Sequence, residues 1–181
     1  MNSADLETRA PEAGGAGVQD AVRLLAGKYI TFRLAREVYG IEVLKVRELI
    51  RVMEITRVPG TKAFVRGVIN LRGRVIPVVD PRLKFAMGEV TVGDQTVIIV
   101  VQYEADGEEL TMGILVDEVL EVSSIAAENI EPPPDFGAGA IDTAFILGVG
   151  KAAKQVVLLL DISGVLSAEE QEQVSRVATG E

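Results

Sequence analysis

Two aspartates, a glycine-lysine segment and a knot of arginines are the residues of this chain whose types and spacing could do chemistry. Asp80 and Asp161 each end an apolar run, Val75–Val79 and Val156–Leu160, a place where many α/β enzymes hold a catalytic carboxylate. Capping fits them better. Asp80 precedes Pro81, so its carboxylate is placed to accept from the first turn of a short helix that starts with proline. Asp161 repeats the arrangement before Ile162. A phosphoacceptor aspartate would need an acidic pair and a lysine on parallel strands, and the chain lacks the βα alternation that supplies them. Gly148-Val149-Gly150-Lys151 matches part of a phosphate-binding loop, but Phe145 stands where the earlier glycine belongs and Ala152 where Ser or Thr would hold magnesium. No EF-hand spacing marks a calcium site. Arg66, Arg72 and Arg74 crowd one hairpin, with Arg72 in the turn. Guanidinium groups pair bidentately and recur at binding hot spots, while a solvated surface arginine accounts for the same pattern equally well.

Histidine and cysteine are both absent. Their absence removes the commonest general base, the thiolate nucleophile and the usual metal ligands, so neither an enzyme nor a cofactor is expected. No serine sits in a recognisable nucleophile turn, which argues against a Ser–Lys hydrolase. No stretch reaches the roughly 18 apolar residues of a membrane span, and Met1-Asn2-Ser3-Ala4-Asp5 does not open a secretory signal. A cytoplasmic protein is expected.

The elements that must position these residues are mostly strands. The chain has 181 residues, 48% hydrophobic, with five Phe, three Tyr and no Trp. Its core must therefore be aliphatic, and β-branched residues favour strands. Tyr29–Leu34 and Val38–Val43, Val65–Leu71 and Val75–Val79, and Thr96–Tyr103 and Leu110–Val116 read as three hairpins; Asp106-Gly107 is the strongest turn signal among them. Lys45–Leu49 has room for one or two helical turns. Residues 1–27 read as a flexible arm, in which Val18, Ala21, Val22 and Leu25 define a short helix with Gly27 as its stop. That helix either lies on the domain or docks a partner. Residues 167–181 form a terminal helix and tail, begun by a Ser167–Glu170 capping box.

The chain also repeats. Phe64-Val65-Arg66-Gly67-Val68 leads to Asp80 as Phe145-Ile146-Leu147-Gly148-Val149 leads to Asp161, and Tyr39-Gly40-Ile41 matches Met112-Gly113-Ile114. The second copy is longer by an insertion near Pro132–Gly137. Two copies of a five-strand unit, about 28–86 and 87–166, imply two small barrels, which remove exposed edges. Charge divides the sequence similarly. Residues 28–84 hold 13 Lys or Arg against 5 Asp or Glu, and residues 85–150 hold none against 13. Unlike surfaces of that kind favour weak, salt-sensitive head-to-tail self-association. A basic first barrel also admits nucleic-acid binding, with Tyr29, Phe32 or Tyr39 as stacking platforms. The acidic second half and the few aromatics oppose it.

The stretch from Phe64 through Asn70-Leu71-Arg72-Gly73-Arg74 to Asp80 resembles the signature of the CheW family of bacterial chemotaxis coupling proteins. Tyr39–Glu48, Gly113–Val119 and Pro134-Asp135-Phe136 fit the same pattern in order, so the resemblance runs from about Tyr29 to Leu166. It implies an all-β fold: a tandem pair of five-stranded SH3-like or OB-like barrels that exchange strands, with short helices after the first hairpin and at the C-terminus. It implies a non-catalytic adaptor in the two-component signalling system of chemotaxis, joining chemoreceptor cytoplasmic tips to the regulatory domain of the histidine kinase CheA in arrays at the inner membrane. By the same resemblance Val46, Glu48, Gly67, Asn70 and Arg72 belong to a receptor- and kinase-binding surface on the first barrel. Val97, Val119, Val122 and Gly148 belong to a kinase-binding surface on the second. No metal, nucleic acid or membrane insertion is implied.

Overall fold

Strands that are apolar at consecutive positions must be buried on both faces, and this requirement organises the structure. The computed structural model describes residues 13–88, 91–133 and 145–179. Helix α1 (Ala13–Leu24) precedes the hairpin β1 (Gly27–Leu34) and β2 (Glu37–Glu42). A 3-10 turn (Val43–Lys45) leads to β3 (Val46–Arg51), β4 (Val65–Leu71), β5 (Arg74–Val79) and α2 (Pro81–Lys84). Then come β6 (Val97–Ala105), β7 (Glu108–Val116), β8 (Glu118–Ile125), β9 (Ile130–Glu131), β10 (Ile146–Ala152), β11 (Gln155–Leu160), α3 (Ile162–Val165) and α4 (Ala168–Thr179).

The strands form two curled sheets, ordered β3-β6-β7-β5-β4 and β8-β1-β2-β11-β10-β9. Neither sheet follows a boundary at residue 86. One is built entirely from residues 46–116; the other joins β1–β2 to everything after residue 117. The chain crosses between sheets twice, through the 3-10 turn and through Asp117 alone. This regrouping cancels the charge division read from the sequence. Residues 46–116 hold nine Lys or Arg and nine Asp or Glu, and residues 27–45 with 117–166 hold six against ten. The basis for head-to-tail self-association by opposite charge is thereby removed.

Three apolar clusters result. Ile69, Ile76, Val78, Ile98, Val100 and Leu115 fill the first lobe. Tyr29, Val38, Ile125, Ile130, Val157 and Leu159 fill the second. Between the lobes lies the largest, including Phe32, Tyr39, Ile99, Val101, Ile114 and Leu160. Alternate residues of β6 and of β11 serve different clusters, which explains their unbroken apolar runs.

The region expected to be helical at Lys45–Leu49 is instead mostly strand β3, whose side chains alternate between half-buried and exposed. A bulge between Val46 and Glu48 in its pairing with β6 turns Val46 toward the interlobe cluster and Ile50 into the first lobe. The repeat recurs as paired geometry. Register shifts fall between Val65 and Gly67 and between Ile146 and Gly148, and a short crossing segment closes each barrel beside the glycine. Thr56 pairs with Val68 as Glu131 pairs with Val149. Asp80 accepts from Arg82 N at 3.0 Å and Asp161 from Ser163 N at 3.0 Å, so both aspartates cap helices.

Two polar clusters fasten the lobes. Asp117 accepts from Ala35 N at 2.6 Å and from Arg82 Nη1 at 3.0 Å, while its own N–H donates to the Arg33 carbonyl at 3.1 Å. Glu170 on α4 is buried and accepts from Lys84 Nζ and, at 2.9 Å, from Ser167 N. The Ser167 hydroxyl accepts from Glu170 N at 3.1 Å, completing the capping box. Burial acts to raise the Glu170 carboxyl, but hydrogen bonds from Lys84 and Ser167 outweigh it and hold the group below its ordinary 4.5.

Two outcomes follow from this packing. A Cβ at Gly67 would stand 2.2 Å from the Thr56 carbonyl oxygen, at a φ of +139°. Gly67→Ala should destabilise by about 3 kcal/mol and lower the thermal midpoint by roughly 6–12 °C, measured by circular dichroism. Because the Glu170 carboxyl lies lower folded than unfolded, its contribution is complete above the ordinary value and is lost as pH falls through the folded value. Melting curves from neutral to acid pH should show a stability loss that Glu170→Gln flattens.

Candidate partner-binding site

The turn between β4 and β5 is held open to solvent by its own chemistry. Arg72 and Gly73 have φ of +52° and +85°, and Asn70 Oδ1 accepts from Gly73 N at 2.9 Å. The left-handed conformation costs a residue with a Cβ on the order of 1 kcal/mol, so arginine is not the residue this turn geometry favours. Its side chain is 72% exposed and pairs with Glu48 of β3. Glu48, Asn70 and Arg72 therefore meet at one end of the first lobe.

Behind the Glu48–Arg72 pair the barrel opens into a groove of about 550 Å³, lined by Arg74, Ile76, Val100 and Thr111 among others. Its lining is mostly polar, from Arg47, Glu48, Arg72, Arg74, Gln102 and Thr111, with the aliphatic Leu71, Ile76 and Val100 between them. Arg47 on the rim lies 3.6 Å from Glu109. Arg66 does not join this group; it lies 3.5 Å from the buried Asp80.

The other expected residues divide differently. Val46, Val97 and Val119 pack, half-buried, on the interlobe cluster. Val97 stands on β6 in the first lobe's sheet, not with Val119, Val122 and Gly148. Val122 is 59% exposed and sits opposite Ile30 across β1–β8. Gly67 and Gly148 are not surface residues. Both are buried, Gly67 under Thr56 and Gly148 under Glu131 and Leu25. Their spacing reports where a second chain segment crosses closely.

Tyr29, Phe32 and Tyr39 are buried in the cores, so none of the three is a stacking platform for nucleic acid. Gly148–Lys151 lies within β10 and makes no phosphate loop. Among the described residues no group of His, Cys, Asp or Glu could hold a metal, and no helix is long and apolar enough to cross a membrane. Pro134-Asp135-Phe136 lies outside the described residues. Sequence reasoning missed Arg47, Gln102 and Thr111 of the groove, which no motif marks; the alternation of β3 was the available signal for Arg47.

The matched family model, described as a CheW-like domain, covers residues 28–170. The chain belongs to the CheW family. It is 39% identical over 151 residues to the chemotaxis protein CheW of Klebsiella aerogenes, an alignment spanning 83% of this chain and 88% of that one. It is 30% identical over 151 residues to protein FrzA of Myxococcus xanthus, across 82% and 91%. The crystal structure of the scaffolding protein TtCheW from Thermoanaerobacter tengcongensis superimposes with a TM-score of 0.69 at 34% identity, covering 81% of this chain and 91% of that one. Membership in the CheW family makes this chain a non-catalytic chemotaxis adaptor, with a role in coupling receptors to the kinase CheA.

The Glu48–Arg72 pair is exposed, so solvent and salt screen it. Single Ala substitutions at either residue should leave stability within about 1 kcal/mol. A double-mutant cycle should give a coupling below about 1 kcal/mol that vanishes near 1 M salt, read by chemical denaturation.

Proposed function

We propose that the end of the first lobe marked by Glu48, Asn70 and Arg72 is the surface that meets a receptor cytoplasmic tip and neighbouring kinase modules. One observation carries the reading: an exposed charged pair lines a groove of mixed polar and aliphatic residues, on a turn whose geometry gives no reason for arginine. The exposed Val122 on β8 of the second lobe, with the half-buried Val119 on the same strand, contacts the regulatory domain of CheA. The adaptor acts by position. It holds the kinase domain against the receptor so that a small receptor movement changes kinase activity, at arrays on the cytoplasmic side of the inner membrane. Charged rims supply specificity and encounter rate, and apolar centres supply most of the affinity.

The test measures each partner separately. Arg72→Glu should reduce affinity for a receptor tip by about 2 kcal/mol, roughly thirtyfold, with an unchanged melting temperature. Val122→Glu should weaken binding of the CheA regulatory domain more than binding of the receptor tip. Unchanged affinities for both partners in both variants would sink this assignment of surfaces.

A further inference from the structure

The third arginine of the β4–β5 hairpin, Arg74, is engaged by nothing in the fold. Arg66 lies against the buried Asp80, and Arg72 pairs with Glu48. Among the described residues no hydrogen bond or ion pair reaches the Arg74 guanidinium. Its cross-strand neighbour is Leu71, which carries no charge.

The position is nonetheless a built one. Arg74 stands two residues before the buried Ile76 on β5, so the two side chains share one face of the strand. Both line the groove of about 550 Å³ behind the Glu48–Arg72 pair. With Thr111, both also line a second hollow of about 340 Å³, whose other residues include Leu110 of β7 and Val174 of α4. Arg74 therefore stands where two hollows adjoin.

The charges around them do not balance. Arg47, Arg72 and Arg74 line these hollows against Glu48 and Glu109. Both carboxylates are taken, Glu48 by Arg72 and Glu109 by Arg47 at 3.6 Å. One guanidinium is left over, and a concave wall focuses its field on what enters. Backbone pairing offers little here. β5 pairs with β7 only at Val78 and Val79, and Pro77 on the unpaired stretch has no N–H to give an added strand. An occupant is thus met through side chains.

We infer that Arg74 is a recognition site for an acidic side chain of the receptor tip. The carboxylate takes the fork of donors that no residue of this chain engages. Leu71, Ile76 and Val100, set among the charges, suit an aliphatic neighbour of that acidic residue. The inference rests on the reading that this end of the first lobe meets a receptor tip, and it names the chemistry recognised there. A tip with a basic residue at this point meets an unmatched like charge, so Arg74 discriminates between tips.

Affinity of the full chain for a receptor cytoplasmic tip and for the CheA regulatory domain, measured separately, tests it. Arg74→Gln should weaken tip binding about tenfold, Arg74→Glu should weaken it further, and Arg74→Lys least. Melting temperature should not move, since the side chain is exposed, and the regulatory domain should be affected less than the tip. The differences should shrink as salt rises toward 1 M. Changing the acidic residues of the tip to lysine one at a time should give one variant that Arg74→Glu binds better than the unaltered chain does. Equal tip affinities across the Arg74 series, with Arg72→Glu still weakening binding, would overturn the inference and leave the surface reading standing. Unchanged binding in every variant, Arg72→Glu included, would overturn both. A loss that does not follow charge, or that no tip variant rescues, would overturn carboxylate recognition. A loss confined to the regulatory domain would overturn the receptor as its source.

Discussion

Everything in this molecule depends on burying both faces of the central strands. A single curled sheet can cover only its concave side. The convex sides of β6, β7 and β11 are as apolar as their concave sides, and each is satisfied only by the opposite lobe. The cluster between the lobes is therefore a true core, containing the stacked Phe85 and Phe145 rings 4.1 Å apart. It sets the lobes at one distance and makes them one body.

That constraint keeps the crossings between the sheets short. Only one residue, Asp117, separates β7 in one sheet from β8 in the other. Its carboxylate fastens the β1–β2 turn at Ala35 and the helix α2 through Arg82, so the crossing is tied to both lobes. At the far side, α4 is anchored by buried Glu170 between Lys84 and the capping Ser167, with Val174 joining the interlobe cluster. Several ion pairs join segments distant in sequence, among them Arg33–Glu118, Arg82–Asp117 and Lys84–Glu170.

The candidate binding surfaces are what this packing leaves over. Where β5 and β7 pair only at Val78–Gly113 and Val79–Ile114, the first barrel stays open at one end, and the Glu48–Arg72 pair spans the opening. The bulge after Val46 is what sends Val46 and Glu48 to different surfaces from neighbouring positions. On the second lobe the corresponding glycine is overlaid by Glu131 and by Leu25, just past α1, whereas Gly67 lies under Thr56 and Arg57. The repeat thus produced two similar frames with different exposed faces, as an adaptor with unlike partners requires.

Much of this was legible in the residues. The three hairpins, the two aspartate caps, the Ser167–Glu170 box and the duplicated Gly-to-Asp interval are encoded by turn chemistry and capping within a few positions of one another. The family signature lay in that same contiguous stretch. Sequence alone therefore determined most of the elements, though not strand β3 at Lys45–Leu49 or strand β8, and which family they belong to. Tertiary structure decided their grouping: β1–β2 with the late strands, residues 46–116 as a lobe, and an even mix of charge where the sequence showed a divide. It also decided that Gly67 and Gly148 lie beneath crossing segments rather than on a surface. The reason is physical. Turns and caps are local hydrogen-bonding and backbone constraints, whereas hydrophobic burial is non-directional, so an apolar run such as Ile98–Val101 specifies that it must be covered without specifying by what.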